Sequence, residues 1–522
     1  MVGGTLPCPM TATPHLLTGS GLTLAAIREL RRHRHPVDLA AAARERVVAS
    51  RAIVDRLQAG EHSYYGINTG FGALANTRIA AADIEKLQEN LILSHAVGVG
   101  EEINPELVQL MLLLKANALA LGLSGVRPVL VEYLLRFYNA GLSPVVYAQG
   151  SLGASGDLAP LAHLTLALLG LGEVWMDGVK RAAPVALESL GLAPLRLRSK
   201  EGLALINGTQ FMAAHAVHAL LRIEDLLRHA DLVAALTLEA MRGSATPFDA
   251  RIHAARPHPG QAEVADNVRR LLAGSEILPS HLNCGKVQDP YSLRCVPQVH
   301  GAARDAVRSA RAVAETEINS VTDNPLVFPN GDVVSGGNFH GEPLAFALDF
   351  LAIATAEIAS ISERRLYLLL GGDTMGDKKL PKLLMSDTGL NSGFMLPQYA
   401  AAALVSENKI LAHPASVDSI PSSLGQEDHV SMGATAATKL LRVVANTETV
   451  LAIELMSAAQ ALDFIHPLKA GRGLEAAHAE VRRHLAFAEA DRLFHNDIQT
   501  SLELLRSGAL LTAADAESGP LV

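Results

Sequence analysis

The sequence is poor in aromatic residues and in cysteine. Aromatic side chains make up 4% of the 522 residues, and only one of them is Trp, whereas Ala and Leu dominate the apolar residues and favour helix. The three cysteines, Cys8, Cys284 and Cys295, are irregularly spaced. This number and spacing fit neither a disulfide framework nor a zinc motif. We therefore expect a protein of the reducing cytoplasm.

Long uninterrupted apolar runs are also missing. The most apolar stretch, LVQLMLLLKANALALGLSGV, carries Gln109, Lys115 and Asn117, which are poorly suited to lipid. The first residues, MVGGTLPCPMTATPHLLTG, lack the basic start and apolar run of a signal peptide. The sequence therefore predicts neither a membrane span nor a secretion signal.

Charge of one sign is not concentrated anywhere, although the net charge is −9. The basic cluster RELRRHRH at 28–35 is short, and such a cluster is more typical of a solvated helix face than of a nucleic-acid interface. We expect no nucleic-acid and no membrane partner.

Helical periodicity recurs through most of the sequence. Its 522 residues exceed what one compact core usually holds, so we expect several domains or surface buried between subunits. Long helices in such a chain predict a mainly α-helical bundle. The predicted helices are 105–123, 128–140, 157–171, 209–242, 300–320, 343–370, 397–411, 430–465 and 475–506.

The loops between these helices are rich in Gly, Asn, Ser and Pro and collect Tyr, Gln, Arg, Phe and Glu as well. A purely structural bundle would use short polar turns, whereas functional groups tend to lie on loops held by a rigid scaffold. The loops therefore favour an enzyme over a structural protein. They include YYGINTGFGALANT, GSLGASGDLAP, NCGKVQDPYSLR and DSIPSSLGQEDHVSMG.

The sharpest bend in the sequence is Gly153-Ala154-Ser155-Gly156-Asp157. One interpretation is an ordinary turn and helix start, with Ser155 or Asp157 as N-cap. The stretch is neither the G-x-S-x-G elbow of serine hydrolases nor a phosphate-binding loop. A second interpretation uses the backbone itself. The unhindered nitrogen of Gly156 could attack the carbonyl carbon of Ala154, and loss of two water molecules, one from the Ser155 hydroxyl, would leave an electron-poor five-membered ring.

Ala154-Ser155-Gly156 resembles the triad that forms the methylidene-imidazolone (MIO) group of aromatic amino acid ammonia-lyases and aminomutases. The resemblance runs from about residue 16 to about residue 505. It implies removal of an α-amino group and a β-proton, with no external cofactor. Histidines such as His215, His218 and His281 do not stand at metal-binding spacings with carboxylates, so we expect no metal. The motifs that carry it, in order, are YYGINTGFG, NLILSHAVGVG, GSLGASGDLAPLAH, EGLALINGT, KVQDPYSLRCVPQV, VTDNPLVF, SGGNFHGEP, LNSGFM and GQEDHVSMG.

The resemblance assigns roles to three residues near the electrophile. Tyr65 matches the catalytic tyrosine that removes the β-proton, on a lid loop with glycines at 66, 70 and 72; on its own it could be a packed loop tyrosine. Asn207 matches an asparagine beside the MIO oxygen, and otherwise could cap a helix. Phe339 matches an aromatic residue beside the electrophile, and otherwise would be a core residue.

A second group, Gln288, Tyr291 and Arg294, is spaced three residues apart, so the three side chains would share a face if the segment is helical. Arg294 could hold the substrate carboxylate through two parallel hydrogen bonds. The family positions of Gln288 and Tyr291 imply that they line the MIO and the amine. The alternative is an ordinary surface face.

Two positions indicate which amino acid reacts. His95, in SHA, could exchange a hydrogen bond with an imidazole, and Glu427 stands where phenylalanine- and tyrosine-type members usually have Gln. The pair implies L-histidine as substrate and trans-urocanate as product, although a structural Glu–His pair is the alternative. Glu427 could also act in catalysis by assisting proton transfer. Gly425 and the segment 371–389, with Lys382, depart from the usual histidine-type pattern, so a tyrosine or phenylalanine lyase and an aminomutase stay open.

The resemblance also implies an assembly. It predicts a mainly α-helical homotetramer with an elongated central bundle of long helices, in which each site draws on three subunits. Along the chain we expect an N-terminal region at 1–200, a long-helix bundle at 201–470 and a C-terminal helical region at 471–522, forming one continuous unit. A helical assembly protein that has lost its activity is the alternative from another class.

Overall fold

The computed structural model describes residues 13–60, 62–70, 78–282, 287–371 and 380–522. Cys8, Cys284, Gly72 and residues 372–379 of the unusual segment lie outside them. The fold is mainly α-helical, as the sequence predicts. Its helices are α1 Leu24–His33, α2 Ala41–Gln58, α3 Ile84–His95, α4 Pro105–Ala120, α5 Pro128–Asn139, α6 Leu158–Leu168, α7 Ala183–Ser189, α8 Glu201–Ile206, α9 Gln210–Ala240, α10 Ala250–Ala255, α11 Pro259–Leu271, α12 Tyr291–Arg294, α13 Val296–Glu317, α14 Glu342–Leu370, α15 Met395–Leu411, α16 Gly433–Asp463, α17 Arg472–His484, α18 Phe494–Ser507 and α19 Ala509–Ser518.

Short strands form four small sheets between these helices. β1 pairs with β2 in parallel, whereas the pairs β3–β5 and β8–β9 and the sheet β4–β6–β7 are antiparallel. The strands are β1 His15–Leu17, β2 Val37–Leu39, β3 Val99–Glu102, β4 Ser143–Pro144, β5 Tyr147–Gln149, β6 Glu173–Met176, β7 Val179–Ala182, β8 Leu326–Val327 and β9 Val333–Val334.

The chain divides into two compact units. The first comprises the described residues up to His218 together with Arg311–Asp349 and Pro414–Thr438. The second comprises Ala219–Ala310, Phe350–His413 and Lys439–Val522. Each unit is built from three separate stretches of chain, so neither corresponds to one consecutive region of the sequence.

The core of the first unit contains α4, in which almost every residue from Leu107 to Ala120 is buried. A helix that is apolar on all sides is stable only inside a protein or a bilayer. Its N-terminus is fixed by Asn104, whose side chain accepts a hydrogen bond from the Glu106 amide, and by Pro105 in the first turn. Lys115 is buried within this apolar helix and is described with the site below.

Eight of the nine predicted helices are observed with ends shifted by a few residues, and the ninth is wrong. The predicted helix 475–506 is two helices, α17 and α18, separated at 485–493. The break is stabilised by Gln460, whose side chain exchanges hydrogen bonds with both backbone groups of Ala488, at 2.9 and 3.0 Å. The pattern also missed α1, α2 and α3, which precede residue 105.

One helix in the described part of the chain, α14, is long and apolar enough to cross a membrane. Two-thirds (67%) of its most apolar window is buried by the protein, which is typical of a core helix.

Candidate active site

The bend at 153–156 is held in a conformation that requires glycine. Gly153 has φ +68° and Gly156 has φ +74°, values that side chains disfavour. The space is restricted as well, because a Cβ at Gly156 would lie 2.1 Å from the carbonyl oxygen of Gly208. The next amide, Asp157 N, donates to that same oxygen at 2.7 Å. Packing against Gly208 therefore fixes the turn tightly.

Asn207 fixes the carbonyl of the middle residue. Its Nδ2 donates to the Ser155 backbone oxygen at 2.7 Å. Asn207 lies at the C-terminal end of α8 and is not the cap of α9. Its own carbonyl accepts a hydrogen bond from Lys115 Nζ at 2.7 Å. Burial lowers the pKa of Lys115 to about 7, and Asp323 opposes that shift. Lys115 therefore fixes the backbone of Asn207, and so helps to hold the Asn207 side chain at the Ser155 carbonyl.

Asp157 directly follows the turn and begins α6, but its carboxylate does not cap that helix. Instead, Oδ2 accepts hydrogen bonds from the amides of Phe211 and Met212, at 3.0 Å each, and Oδ1 accepts one from Ser151 at 3.2 Å. The carboxylate thus satisfies free amides in the first turn of α9. Burial raises the pKa of Asp157 to about 7. Asp157 couples the turn to α9.

A cavity of about 860 Å³ opens beside this turn. Its wall combines apolar side chains with amide, hydroxyl, carboxyl and imidazole groups, the mixture expected for a small polar ligand with an apolar part. The lining residues are Tyr65, Leu91, His95, Ala154, Ser155, Leu158, Leu203, Ile206, Asn207, Asn324, Ser335, Gly336, Phe339, His340, Ser423, Gln426, Glu427, Asp428 and His429.

Glu427 faces the turn from across the cavity. Its Oε1 accepts a hydrogen bond from Ser155 Oγ at 2.8 Å, and its Oε2 accepts one from Ser422 Oγ at 2.7 Å. The Ser422 amide also donates to the Glu427 carbonyl at 2.9 Å. The loop 422–427 therefore places the Glu427 carboxylate next to Ser155, the central residue of the bend.

His95 ends α3 and lines the same cavity. Its Nδ1 lies 3.0 Å from Ser94 Oγ. Burial lowers the pKa of His95, and the hydrogen bond with Leu91 and the charge of Glu427 oppose that shift. Tyr65 and Phe339 also line the cavity, while Tyr64 packs on the cluster around Ile67.

The structure thus brings seven of the predicted positions around one cavity, six of them polar or part of the bend and the seventh the aromatic Phe339, and Gly156 completes the turn. The six are Tyr65, His95, Ala154, Ser155, Asn207 and Glu427, with Phe339 beside them.

Gln288, Tyr291 and Arg294 belong to the second unit and are not among the described residues that line this cavity. Only Tyr291–Arg294 is helical, and Gln288 precedes the helix. Arg294 Nη1 nevertheless donates to Gln288 Oε1, and the guanidinium lies 4.7 Å from the centre of the Tyr291 ring. Tyr291 is 70% exposed. The three side chains form one cluster, in which Gln288 and Tyr291 are exposed and Arg294 is half-buried.

The sequence reasoning missed the buried groups that support the turn. From the sequence, Lys115 indicates only that its helix does not span a membrane, and Asp157 predicts only a helix cap. A second buried lysine, Lys200, pairs with Asp323 at 2.6 Å. A lone lysine within an apolar helix was the one available signal, since burial of a lysine requires a partner. Lys382, in the unusual segment, is exposed and does not line the cavity.

Comparison with known proteins identifies the relatives of this chain. A family model described as aromatic amino acid lyase matches residues 22–483. The chain belongs to the aromatic amino acid lyase family. This lyase is 52% identical over 515 residues to a histidine ammonia-lyase of Sorangium cellulosum (strain So ce56), an alignment that covers 97% of this chain and 100% of the relative.

Solved structures resemble this lyase over nearly its full length. A histidine ammonia-lyase from Trypanosoma cruzi is 42% identical with a TM-score of 0.89 and covers 97% of this chain and 96% of its own. A tyrosine aminomutase from Streptomyces globisporus is 37% identical with a TM-score of 0.91 and covers 97% and 99%. The sequence-based prediction of an ammonia-lyase, an enzyme that breaks a carbon–nitrogen bond, is confirmed.

Proposed function

We propose that this lyase removes ammonia from L-histidine to give trans-urocanate, using an MIO group formed from Ala154, Ser155 and Gly156. The observation that carries the choice of substrate is the carboxylate of Glu427, 2.8 Å from Ser155 Oγ, in a cavity also lined by His95. A carboxylate suits the N–H of an imidazole and would be poorly satisfied beside a benzene ring. The relatives named histidine ammonia-lyase at 52% and 42% identity support the same choice.

The residues of the bend fit an MIO group. Cyclisation joins the Gly156 nitrogen to the Ala154 carbonyl carbon and releases two water molecules, so it needs a glycine pressed into a tight turn. A Cβ at Gly156 would lie only 2.1 Å from the Gly208 oxygen, so the turn has room for glycine and for no larger residue at this position. The group supplies an electron-poor carbon that takes up the substrate amine and makes it a better leaving group.

The surrounding side chains bind and orient the substrate. Asn207 is a hydrogen-bond donor aimed at the carbonyl of residue 155, where negative charge develops during the reaction. His95, with a pKa lowered by burial, offers a neutral imidazole to the imidazole of the substrate. Glu427 binds the other ring nitrogen. Phe339 packs beside the reacting groups.

Tyr65 takes the β-proton in this proposal. It stands on a loop whose Gly66 has φ +71°, and it lines the cavity with His95 and Asn207. Closure of such a loop would exclude water from the reacting centre, which strengthens the electrostatic contacts there.

The substrate carboxylate needs a cation, and the described residues that line the cavity include no arginine or lysine. We propose that Arg294, with Gln288 and Tyr291, comes from another subunit of a homotetramer. The exposure of Gln288 and Tyr291 on the single chain supports this, because these side chains and the half-buried Arg294 that contacts both are accessible to a partner subunit. We also propose a cytoplasmic location, on the low cysteine content.

A tyrosine aminomutase is the second candidate, favoured by the TM-score of 0.91 to such an enzyme. The test is incubation of the purified protein with L-histidine, L-tyrosine and L-phenylalanine in separate reactions. Ultraviolet absorbance reports each conjugated acid, and chromatography reports any β-amino acid. Rapid urocanate formation supports the proposal. Conversion of tyrosine into a β-amino acid, with no turnover of histidine, would reject it in favour of the second candidate.

A further inference from the structure

Three side chains that commonly bind metals converge in the second unit, at the end of α16. They are Asp463, the last residue of that helix, His466 in the turn that follows, and His478 on α17. One ligand atom from each lies within 4.8 Å of the other two. Asp463 Oδ1 is 3.0 Å from His478 Nε2 and 3.7 Å from His466 Nδ1. One carboxylate oxygen therefore faces two imidazole nitrogens.

His478 is held against the carboxylate inside the protein. The side chain is only 6% exposed, and its Nε2 lies 3.0 Å from Asp463 Oδ1. Two ligands that are each about 2.1 Å from a tetrahedral zinc ion lie about 3.4 Å apart. The distances from Asp463 Oδ1 to His478 Nε2 and His466 Nδ1, 3.0 and 3.7 Å, lie on either side of that value.

Neighbouring charged side chains contact Asp463 and His466 on the sides turned away from the three converging ligand atoms. Arg482 binds the other carboxylate oxygen, Oδ2, with Nε at 2.8 Å and Nη2 at 2.6 Å, which leaves Oδ1 available. Glu475 Oε1 lies 3.8 Å from His466 Nε2, the ring nitrogen turned away from Asp463. A carboxylate behind a histidine is the usual support of a metal-binding imidazole. Arg482 and Glu475 compensate each other in charge.

The position also favours entry of a cation. His466 is exposed, so the cluster is open to solvent on one side. Asp463 ends a 31-residue helix, and the C-terminus of a helix carries a partial negative charge.

We propose that Asp463, His466 and His478 bind one divalent metal ion of the zinc type, with water completing the coordination. Two imidazoles and one carboxylate favour Zn²⁺, Ni²⁺ or Cu²⁺ over Mg²⁺, which prefers oxygen ligands. The histidine spacings in the sequence predict no metal, and they do not reveal these three ligands because the ligands are spread over 16 positions. The site is independent of the proposed lyase chemistry and ties the end of α16 to α17.

Calorimetric titration of the full-length, chelator-treated protein with ZnCl₂, and separately with MgCl₂, tests the proposal. We expect one zinc ion per chain, no heat from magnesium, and a zinc-dependent rise in melting temperature. His466→Gln and His478→Gln should each weaken zinc binding at least about tenfold. The matched control is His484→Gln, an exposed histidine on the same helix, which should bind zinc like the wild type.

A second measurement keeps the test decisive if the buried His478 variant fails to fold. Co²⁺ bound to the wild-type protein should give visible absorption bands typical of imidazole ligands, and the exposed-site variant His466→Gln should lose them. Absence of zinc binding by the wild type would overturn the proposal. So would binding that is unchanged in His466→Gln.

Discussion

Ser155 Oγ donates a hydrogen bond to Glu427 Oε1 across 2.8 Å, although 272 positions separate the two residues in the sequence. The contact joins the bend at 153–156 to the loop that carries a carboxylate. It links the residue that must lose its hydroxyl in cyclisation to the residue that we propose selects an imidazole.

Replacement of Glu427 by Gln should reduce histidine turnover about 10- to 10²-fold, because a hydrogen bond between the carboxylate and the substrate imidazole, worth about 1.5–3 kcal/mol, is lost. The Gln side chain keeps an acceptor for Ser155, so the ring should still form. Steady-state kinetics with urocanate detection measures the loss. The control is Asp428→Asn, which removes the neighbouring carboxylate of the same cavity and should retain most of the activity. Equal losses in the two variants would contradict a specific role for Glu427.

Replacement of Gly156 by Ala should abolish activity and ring formation. The added Cβ would lie 2.1 Å from the Gly208 oxygen and cannot be accommodated. The matched control is Gly141→Ala, a position with a similar φ of +67° but nothing within 4 Å of the new Cβ. That variant should lose only about 1–2 kcal/mol of stability and keep its activity. An active Gly156→Ala protein would count against the cyclised turn.

Mixed oligomers should recover activity if Arg294 completes a site in another subunit. Tyr65→Phe and Arg294→Ala should each be inactive alone. Co-expressed, they should form some sites that contain both native residues, and part of the activity should return. The control pair is Tyr65→Phe with Asn207→Ala, because both residues line one cavity of a single chain. Recovery in neither pair would contradict a shared site.

Acid should destabilise the protein partly through His215. Burial lowers the pKa of His215 to about 4, while its Nδ1 contacts the Phe211 carbonyl. Between about pH 6.5 and 4, the unfolded chain binds a proton at this position and the native protein does not. Stability therefore falls with decreasing pH, by about 1.4 kcal/mol per pH unit for one proton.

The variant His215→Gln should accordingly show a shallower fall of melting temperature over that pH range, measured at one protein concentration. The control is His33→Gln, an exposed histidine whose removal should leave the slope unchanged. Parallel curves for the wild type and His215→Gln would contradict the assignment. Only the slope of melting temperature against pH tests the assignment, because replacing a buried side chain also changes the stability by a constant amount at every pH.

Much of the candidate site could be predicted because its residues lie in short stretches with strong local constraints. The glycines around Ser155 signal a backbone that must bend, and the long apolar periodicities signal buried helices. The helix predicted at 475–506 failed because Gln460, distant in sequence, bonds to the backbone of Ala488 within the break. A local pattern carries no information about such a partner.

The supporting charges were unpredictable for the same reason. Asp157 looks like a cap for its own helix, but its carboxylate reaches the amides of Phe211 and Met212. Lys115 looks like a polar defect in an apolar helix, and only the fold brings it to the Asn207 carbonyl. Tertiary hydrogen bonds decide these roles.

The intact mass of the catalytically active protein, with peptide mapping across residues 154–156, is the most direct test of the central claim that this bend becomes the electrophile. The account predicts a chain lighter than its sequence by two water molecules, with the whole loss in the peptide that contains Ala154, Ser155 and Gly156. Protein that turns over histidine while this peptide keeps its full mass would contradict the account.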